Sequence, residues 1–381
     1  MDGIICPAPW NSLHFFEAGR VFTCCTGWVK SPVGSLQKQT ISEIWNGPEI
    51  QSMRKKMLEG AWREICRPSC PFIQWHLSGG RLIKFADLEK HGVIPAAADE
   101  IRAGKTVIST PPTVFNFSNS GYCNLKCIMC NTNLKEDREL LERAYNDFIT
   151  YLPTAREVVL SGWGDPFARP DTRKILTEFD GSRYPDLKFS LITNGLLLKR
   201  YWDRIKHQNF AGINISVDAA TKETYEKIRV GGRWEDLLEN LELVKDNRKR
   251  FSDVVINMTV MRANYMEIPA FVDFGESYGF NVVFQKITGR CGDQNFFLHG
   301  DRKLIAEVKA MLQEIQASRK ARKISVDVES NFGNLLSGEN LDGEKRLHAL
   351  LNYWGWRLTA PVSKAMGLLK GKTGTDNFSD N

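Results

Sequence analysis

Three cysteines at C-x3-C-x2-C, Cys123, Cys127 and Cys130, fall within an eight-residue span just after the strand-like run 113–118. A cube of four irons and four sulfides presents four iron corners, and a loop this tight brings thiolates to three of them. One iron is then left open. Soft thiolates suit zinc as well, but structural zinc wants a fourth protein ligand, and none lies nearby in sequence. The spacing therefore predicts a cluster that binds something else, with a zinc knuckle or a chance grouping of buried thiols as the alternative.

From residue 113 onward, strand and helix patterns alternate. Strand candidates are 114–118, 157–160, 187–193, 212–217, 254–261 and 281–287. Helical stretches cover 134–151, 172–179, 196–207, 234–246 and 265–278, and a helix at 301–320 and a strand-like 324–328 follow. Strand-then-helix units predict an α/β fold with a parallel sheet and right-handed crossovers. The pattern alone fits a doubly wound sheet as well as a barrel.

A C-x3-C-x2-C motif after a first strand resembles the signature of the radical S-adenosylmethionine (radical SAM) enzymes. The resemblance implies a partial (β/α)6 TIM-like barrel over 113–330. It implies a 4Fe–4S cluster on Cys123, Cys127 and Cys130 whose open iron chelates SAM, and a cluster electron that splits SAM to a 5′-deoxyadenosyl radical. An external electron donor such as flavodoxin or ferredoxin is implied with it.

In parallel α/β folds the loops at the carboxyl ends of the strands form the site. The second strand ends Gly162-Trp163-Gly164-Asp165-Pro166. Glycine lets backbone approach a ligand closely, and a carboxylate beside it accepts from an ammonium. This resembles the family's G-G-E-P motif at the methionyl amine of SAM, with Asp165 where glutamate is usual. Later strands end at Asn194 and at Ser216-Val217-Asp218, with Arg229 following. The resemblance implies that Ser216 and Asp218 bind SAM's ribose or carboxylate and that Arg229 pairs with the carboxylate. Read without it, Asn194 is a turn residue, Asp218 a helix cap and Arg229 a surface residue. Cys291, after the sixth strand, is a candidate hydrogen-atom donor or an ordinary loop cysteine.

Residues 1–78 are rich in cysteine and tryptophan and poor in periodicity, so this small unit needs a metal staple to fold. Cys6, Gly19 and Cys24, then Cys66 and Cys70, resemble the first half of the auxiliary-cluster module called SPASM or its shorter relative twitch, here leading the chain rather than following the core. The resemblance implies a second, auxiliary 4Fe–4S cluster on Cys6, Cys24, Cys66 and Cys70, with Cys25 as the alternative to Cys24. A four-thiolate zinc ribbon is the other reading. Residues 79–112 read as a linker, and 331–381 as an extension with a disordered end.

Tight cysteine groups fit metal ligation in a reducing compartment better than disulfides. With no apolar run of 18 residues and no signal-like start, the expectation is a cytoplasmic protein with no transmembrane segment. The net charge of +6 is modest for 381 residues, and no aromatic-interleaved basic stripe suggests nucleic acid. The expected function is hydrogen abstraction in peptide or protein modification. The runner-up is dehydrogenation or epimerisation of a small polar metabolite such as a sugar, and a non-catalytic iron–sulfur or zinc-binding protein stands behind both.

Overall fold

The strands are β1 (Ile4–Ile5), β2 (Ser12–Phe16), β3 (Arg20–Phe22), β4 (Gly34–Ser35), β5 (Ile83–Lys84), β6 (Val114–Ser118), β7 (Glu157–Leu160), β8 (Lys188–Thr193), β9 (Phe210–Ser216), β10 (Phe251–Val260), β11 (Asn281–Lys286) and β12 (Val326–Asp327). The computed structural model describes residues 4–67, 70, 83–130, 137–160, 163–289 and 291–336. Ten strands form one sheet in the order β12-β11-β10-β9-β8-β7-β6-β2-β3-β4, while β1 and β5 pair separately. Every neighbour from β12 to β2 is parallel. Only the β2–β3–β4 edge is antiparallel. The α/β partial barrel is thus present, and its wall is longer than the periodicity suggested.

The extra wall comes from the N-terminal segment. β2 lies parallel to β6 in the register Ser12 to Val114 through Phe16 to Ser118. Its run Ser-Leu-His-Phe-Phe does not alternate cleanly, because Phe16 turns its ring to Phe22 and Trp163 instead of facing water. On the other face Phe15 meets Phe117 edge-on at 4.9 Å, and Phe117 meets Phe148 at 4.9 Å. One apolar core therefore runs through both the cysteine-rich segment and the barrel. Truncating Phe15 or Phe117 to alanine should cost about 3–5 kcal/mol.

The stretch read as a linker is packed too. It carries a helix, Pro95–Arg102, with proline in its first turn. The Trp45 indole donates to Thr110 O at 2.7 Å, and the buried Arg54 donates to Thr106 O at 2.8 Å and to Pro9 O at 2.9 Å. Arg54 thereby clamps the cysteine-rich segment to the connector. The helices at Arg138–Phe148, Pro170–Glu178, Leu198–Ile205, Trp234–Asp246, Ile268–Tyr278 and Arg302–Ser318 fall where the periodicity put them. Asp137 and Asp301 cap two of them through side-chain oxygens.

Along β6 to β11 buried residues alternate with partly exposed ones. Phe115, Phe117, Phe189 and Phe284 pack on the helix side. The opposite, interior face carries Asn116, Ser118, Ser190, Asn214, Ser216, Asn257, Thr259 and Gln285. That interior mixes these amides and hydroxyls with Val114, Val159, Ile192, Val255 and Val283, and His14 of β2 lies across from Asn116.

Candidate metal centres and the pocket between them

The loop 121–130 leaves the carboxyl end of β6. Its position is set by pairing with a distant segment: Lys126 N donates to Val230 O and Ile128 N to Ile228 O, both at 2.9 Å. Cys127 therefore lies across from Arg229. Asn194 at the end of β8 donates from Nδ2 to Asn124 Oδ1 at 2.9 Å and reaches Cys123 Sγ at 3.6 Å. Below the loop, the buried Arg169 donates to Phe117 O at 3.1 Å and pairs with Asp171 at 2.7 Å, which steadies the chain running from β6 into the loop. Cys123 and Cys127 are partly buried and Cys130 is exposed. Burial pushes the Cys127 thiol up to about 11, while Arg229 pulls it down. Burial raises the Cys123 thiol as well.

Gly164 approaches the cluster loop itself. It holds φ +84°, and a Cβ there would lie 2.4 Å from Tyr122 O and 2.8 Å from Ser120 O. No side chain fits between the turn and the loop. Asp165 N then donates to Tyr122 O at 3.0 Å. The Asp165 carboxylate, expected to meet an amine of SAM, has its oxygens engaged within the protein. Oδ1 accepts from Phe167 N at 2.9 Å, and Oδ2 accepts from Thr193 Oγ1 at 2.7 Å and from Asn194 N at 2.9 Å. Burial raises its pKa against those hydrogen bonds. Its shorter arm folds back onto its own turn. Gly162, expected alongside it, lies outside the described residues.

Asp218 follows β9 and holds φ +65°. It is fully buried, and its Oδ2 accepts from Arg229 at 2.6 Å while Oδ1 accepts from Thr259 N at 2.6 Å. Rather than capping a helix, it ties β9 to β10 and holds Arg229. Arg229 is buried, not a surface residue. Burial opposes its charge, but Asp218 and Cys127 more than offset this and keep it protonated. Ser216 Oγ accepts from Asn257 Nδ2 at 3.1 Å on the interior face. Cys291 Sγ donates to Met129 O at 3.3 Å, which brings it against the cluster loop, and burial raises its thiol with Cys130 adding to the shift. Sequence reading missed Thr193, Asn124, Asn257, Tyr225 and Thr259. Thr193, Asn124, Asn257 and Thr259 carry no spacing signal, since each acts through a partner far along the chain.

The N-terminal cysteines meet at the other end of the sheet. Cys6, Cys24, Cys66 and Cys70 line one cavity together with Met53, Met57, Ile65 and Trp28. Cys24 is part of that lining and Cys25 is not. Pairing of Val29 with Cys66, and Arg67 N donating to Trp28 O at 2.7 Å, brings the distal cysteines to the proximal ones. Burial pushes Cys6 up to about 11 and Cys66 up to about 12, and neighbouring thiols add to both shifts. Cys6, Cys24 and Cys66 therefore resist ionising here unless cationic metal offsets the charge. That donor set fits an iron–sulfur cube. β3 runs back beside β2, and Ser12 Oγ donates to Thr23 O at 2.7 Å, so Cys24 sits at the amino end of β2. The Cys123–Cys130 loop follows the opposite, carboxyl end of β6, which runs parallel to β2.

Family models match both parts: the radical SAM superfamily over residues 119–275 and an iron–sulfur cluster-binding domain, SPASM, over residues 6–71. The chain belongs to the radical SAM superfamily. As a radical SAM enzyme with an N-terminal SPASM domain, it carries a 4Fe–4S cluster that binds SAM, and an auxiliary iron–sulfur cluster. Its curated relatives include a probable GTP 3′,8-cyclase of Methanococcus maripaludis, 26% identical over 170 residues, 43% of this chain and 55% of that protein. Another, from Saccharolobus solfataricus, is 27% identical over 209 residues, 53% of this chain and 65% of that protein. The chain thus spans about half to two thirds of the length of these relatives. Among solved structures, SuiB of Streptococcus suis bound to S-adenosylmethionine shares 17% identity at TM-score 0.41, covering 73% of this chain and 60% of that one. Native anSMEcpe with bound AdoMet shares 18% at TM-score 0.43, covering 59% and 66%. Among the described residues, no helix of this radical SAM enzyme is long and apolar enough to cross a membrane.

Proposed function

We propose that this radical SAM enzyme is an oxidoreductase that abstracts hydrogen from an uncharged, hydrogen-bonding substrate held in the barrel interior between its two cysteine sites, most simply a segment of peptide or protein. The observation that carries this reading is the placement of the cysteine sets at opposite ends of the β2–β6 pair, together with Asn116, Asn214, Ser216, Asn257 and Gln285 on the interior face of the barrel. When bound, the catalytic cluster supplies the electron that cleaves SAM to a 5′-deoxyadenosyl radical, and an external donor such as flavodoxin or ferredoxin replenishes it. Cys123, Cys127 and Cys130 hold that cluster. Asn194, Gly164 and Asp165 set the shape of the loop around it. Ser216, Asp218 and Arg229 stand at the strand ends where SAM's ribose and carboxylate would be received. Cys6, Cys24, Cys66 and Cys70 hold the auxiliary cluster.

The interior also bears on the substrate's charge. A triphosphate calls for several cations, yet Lys188, at the exposed amino end of β8, is the one lysine or arginine on the interior-facing positions of β6 to β11. Amides and hydroxyls suit a peptide backbone or amide side chain. They suit a sugar hydroxyl equally, which keeps a small polar metabolite as the second reading.

The deciding experiment is SAM cleavage under reductant, comparing the reconstituted protein with its Cys123→Ala, Cys127→Ala, Cys130→Ala triple variant. The wild type should hold about eight irons as two cubes of four and release 5′-deoxyadenosine. The variant should hold about half the iron and release none. Continued cleavage by the variant would refute the assignment.

A further inference from the structure

Two buried hydrogen-bond donors beside the cluster loop have no partner among the described residues: Arg229 Nε and Tyr225 Oη. Tyr225 is fully buried and Arg229 is 6% exposed. An unpaired buried donor is costly, so a pair of them at one place asks for an acceptor. The acceptor chemistry lies across the backbone. Residues 126–128 pair with 228–230, which sets Arg229 opposite Cys127. Arg229 O also accepts from Gly232 N at 2.8 Å. A Cβ on Gly232 would lie 3.0 Å from Tyr225 Oη, so that side of the phenol is closed by backbone.

The ion pair is oriented as well. Asp218 holds the far nitrogen of Arg229 at 2.6 Å and is itself held by Thr259 N. Both remaining groups are buried donors.

We infer that Arg229 and Tyr225 donate hydrogen bonds to the sulfur atoms at the Cys127 corner of the catalytic cluster and thereby raise its reduction potential. The inference rests on the reading of Cys123, Cys127 and Cys130 as cluster ligands. Reduction adds negative charge to the cluster, and donors aimed at its sulfurs stabilise the reduced form more than the oxidised one. This role is separate from any contact of Arg229 with SAM, because it operates before SAM arrives.

The test is a potentiometric titration of the reconstituted holoprotein without SAM, followed by electron paramagnetic resonance. The catalytic cluster is recognised as the signal that changes when SAM is added afterwards. Arg229→Gln should lower the ratio of reduced to oxidised cluster at a fixed potential by about tenfold, a shift of ~59 mV for a one-electron couple. Tyr225→Phe keeps the ring and removes only the donor. It should shift the midpoint in the same direction by a smaller amount, and Arg229→Lys should shift it less than Arg229→Gln. Unchanged midpoints in Tyr225→Phe and Arg229→Gln, with full iron and unaltered circular dichroism, would overturn the inference. Loss of the cluster from Tyr225→Phe would assign these groups to folding and overturn it equally. A wild-type protein with no SAM-responsive cluster would instead overturn the underlying functional reading.

Discussion

Thr193 Oγ1 donates to Asp165 Oδ2 at 2.7 Å, joining the end of β8 to the turn that follows β7. With Asn194 N on the same oxygen and Phe167 N on the other, the carboxylate organises the pocket floor. Asp165→Asn would turn an amide N–H₂ toward groups that donate. It should destabilise the fold by about 1–3 kcal/mol, measured as a lower urea midpoint. Weaker SAM binding at unchanged stability would restore the direct contact that the motif resemblance implies.

Gly164→Ala should be more damaging than its size suggests. The positive φ alone costs about 1–3 kcal/mol for an alanine, and the added carbon would collide with Tyr122 O at 2.4 Å. The loop must move. Reconstituted variant should therefore lose iron from the catalytic site while the auxiliary iron stays, read as a drop from about eight irons to about four.

His14 predicts a pH effect of definite sign. Burial lowers its pKa from 6.5 to about 4, so the folded state resists a proton that the unfolded chain accepts. Its contribution is fully present above pH 6.5 and is lost as pH falls toward 4. Discounted for its partial exposure, the loss should be about 2 kcal/mol. Urea titrations at pH 7 and pH 4.5 on wild type and His14→Gln check it: the substitution should flatten the difference. An equal acid slope in both would assign the effect elsewhere.

The auxiliary cysteines carry a prediction about electron flow. Cys6, Cys24, Cys66 and Cys70 line one cavity, and a cube held by all four, as proposed, has no corner left for substrate. Its proposed role is to accept an electron from the substrate radical. Cys66→Ala with Cys70→Ala should preserve some SAM cleavage while product formation fails. Because metal loss can unfold a small module, circular dichroism and iron are measured on the same variant. Normal product yield from a folded protein lacking that iron would end the electron-acceptor role.

What was legible in the sequence was whatever a short stretch of covalent chain dictates. The spacing of Cys123, Cys127 and Cys130 confines three sulfurs to one loop, and period-2 and period-3.6 runs mark strands and helices because neighbours in sequence share a face. The strand-then-helix rhythm implied a parallel sheet, and the cysteine-rich start implied a metal-stapled unit. Tertiary structure alone decided the rest. β2 joins β6 across 102 residues, which makes the N-terminal unit part of the barrel wall and puts His14 inside it. Asp165 turned inward because Thr193 and Asn194, at the end of another strand, offered donors. Arg229 came to face Cys127 through a backbone pairing of segments that no local pattern links. Such partners are chosen by burial and by the need to satisfy buried polar groups, and those conditions exist only once the chain has folded.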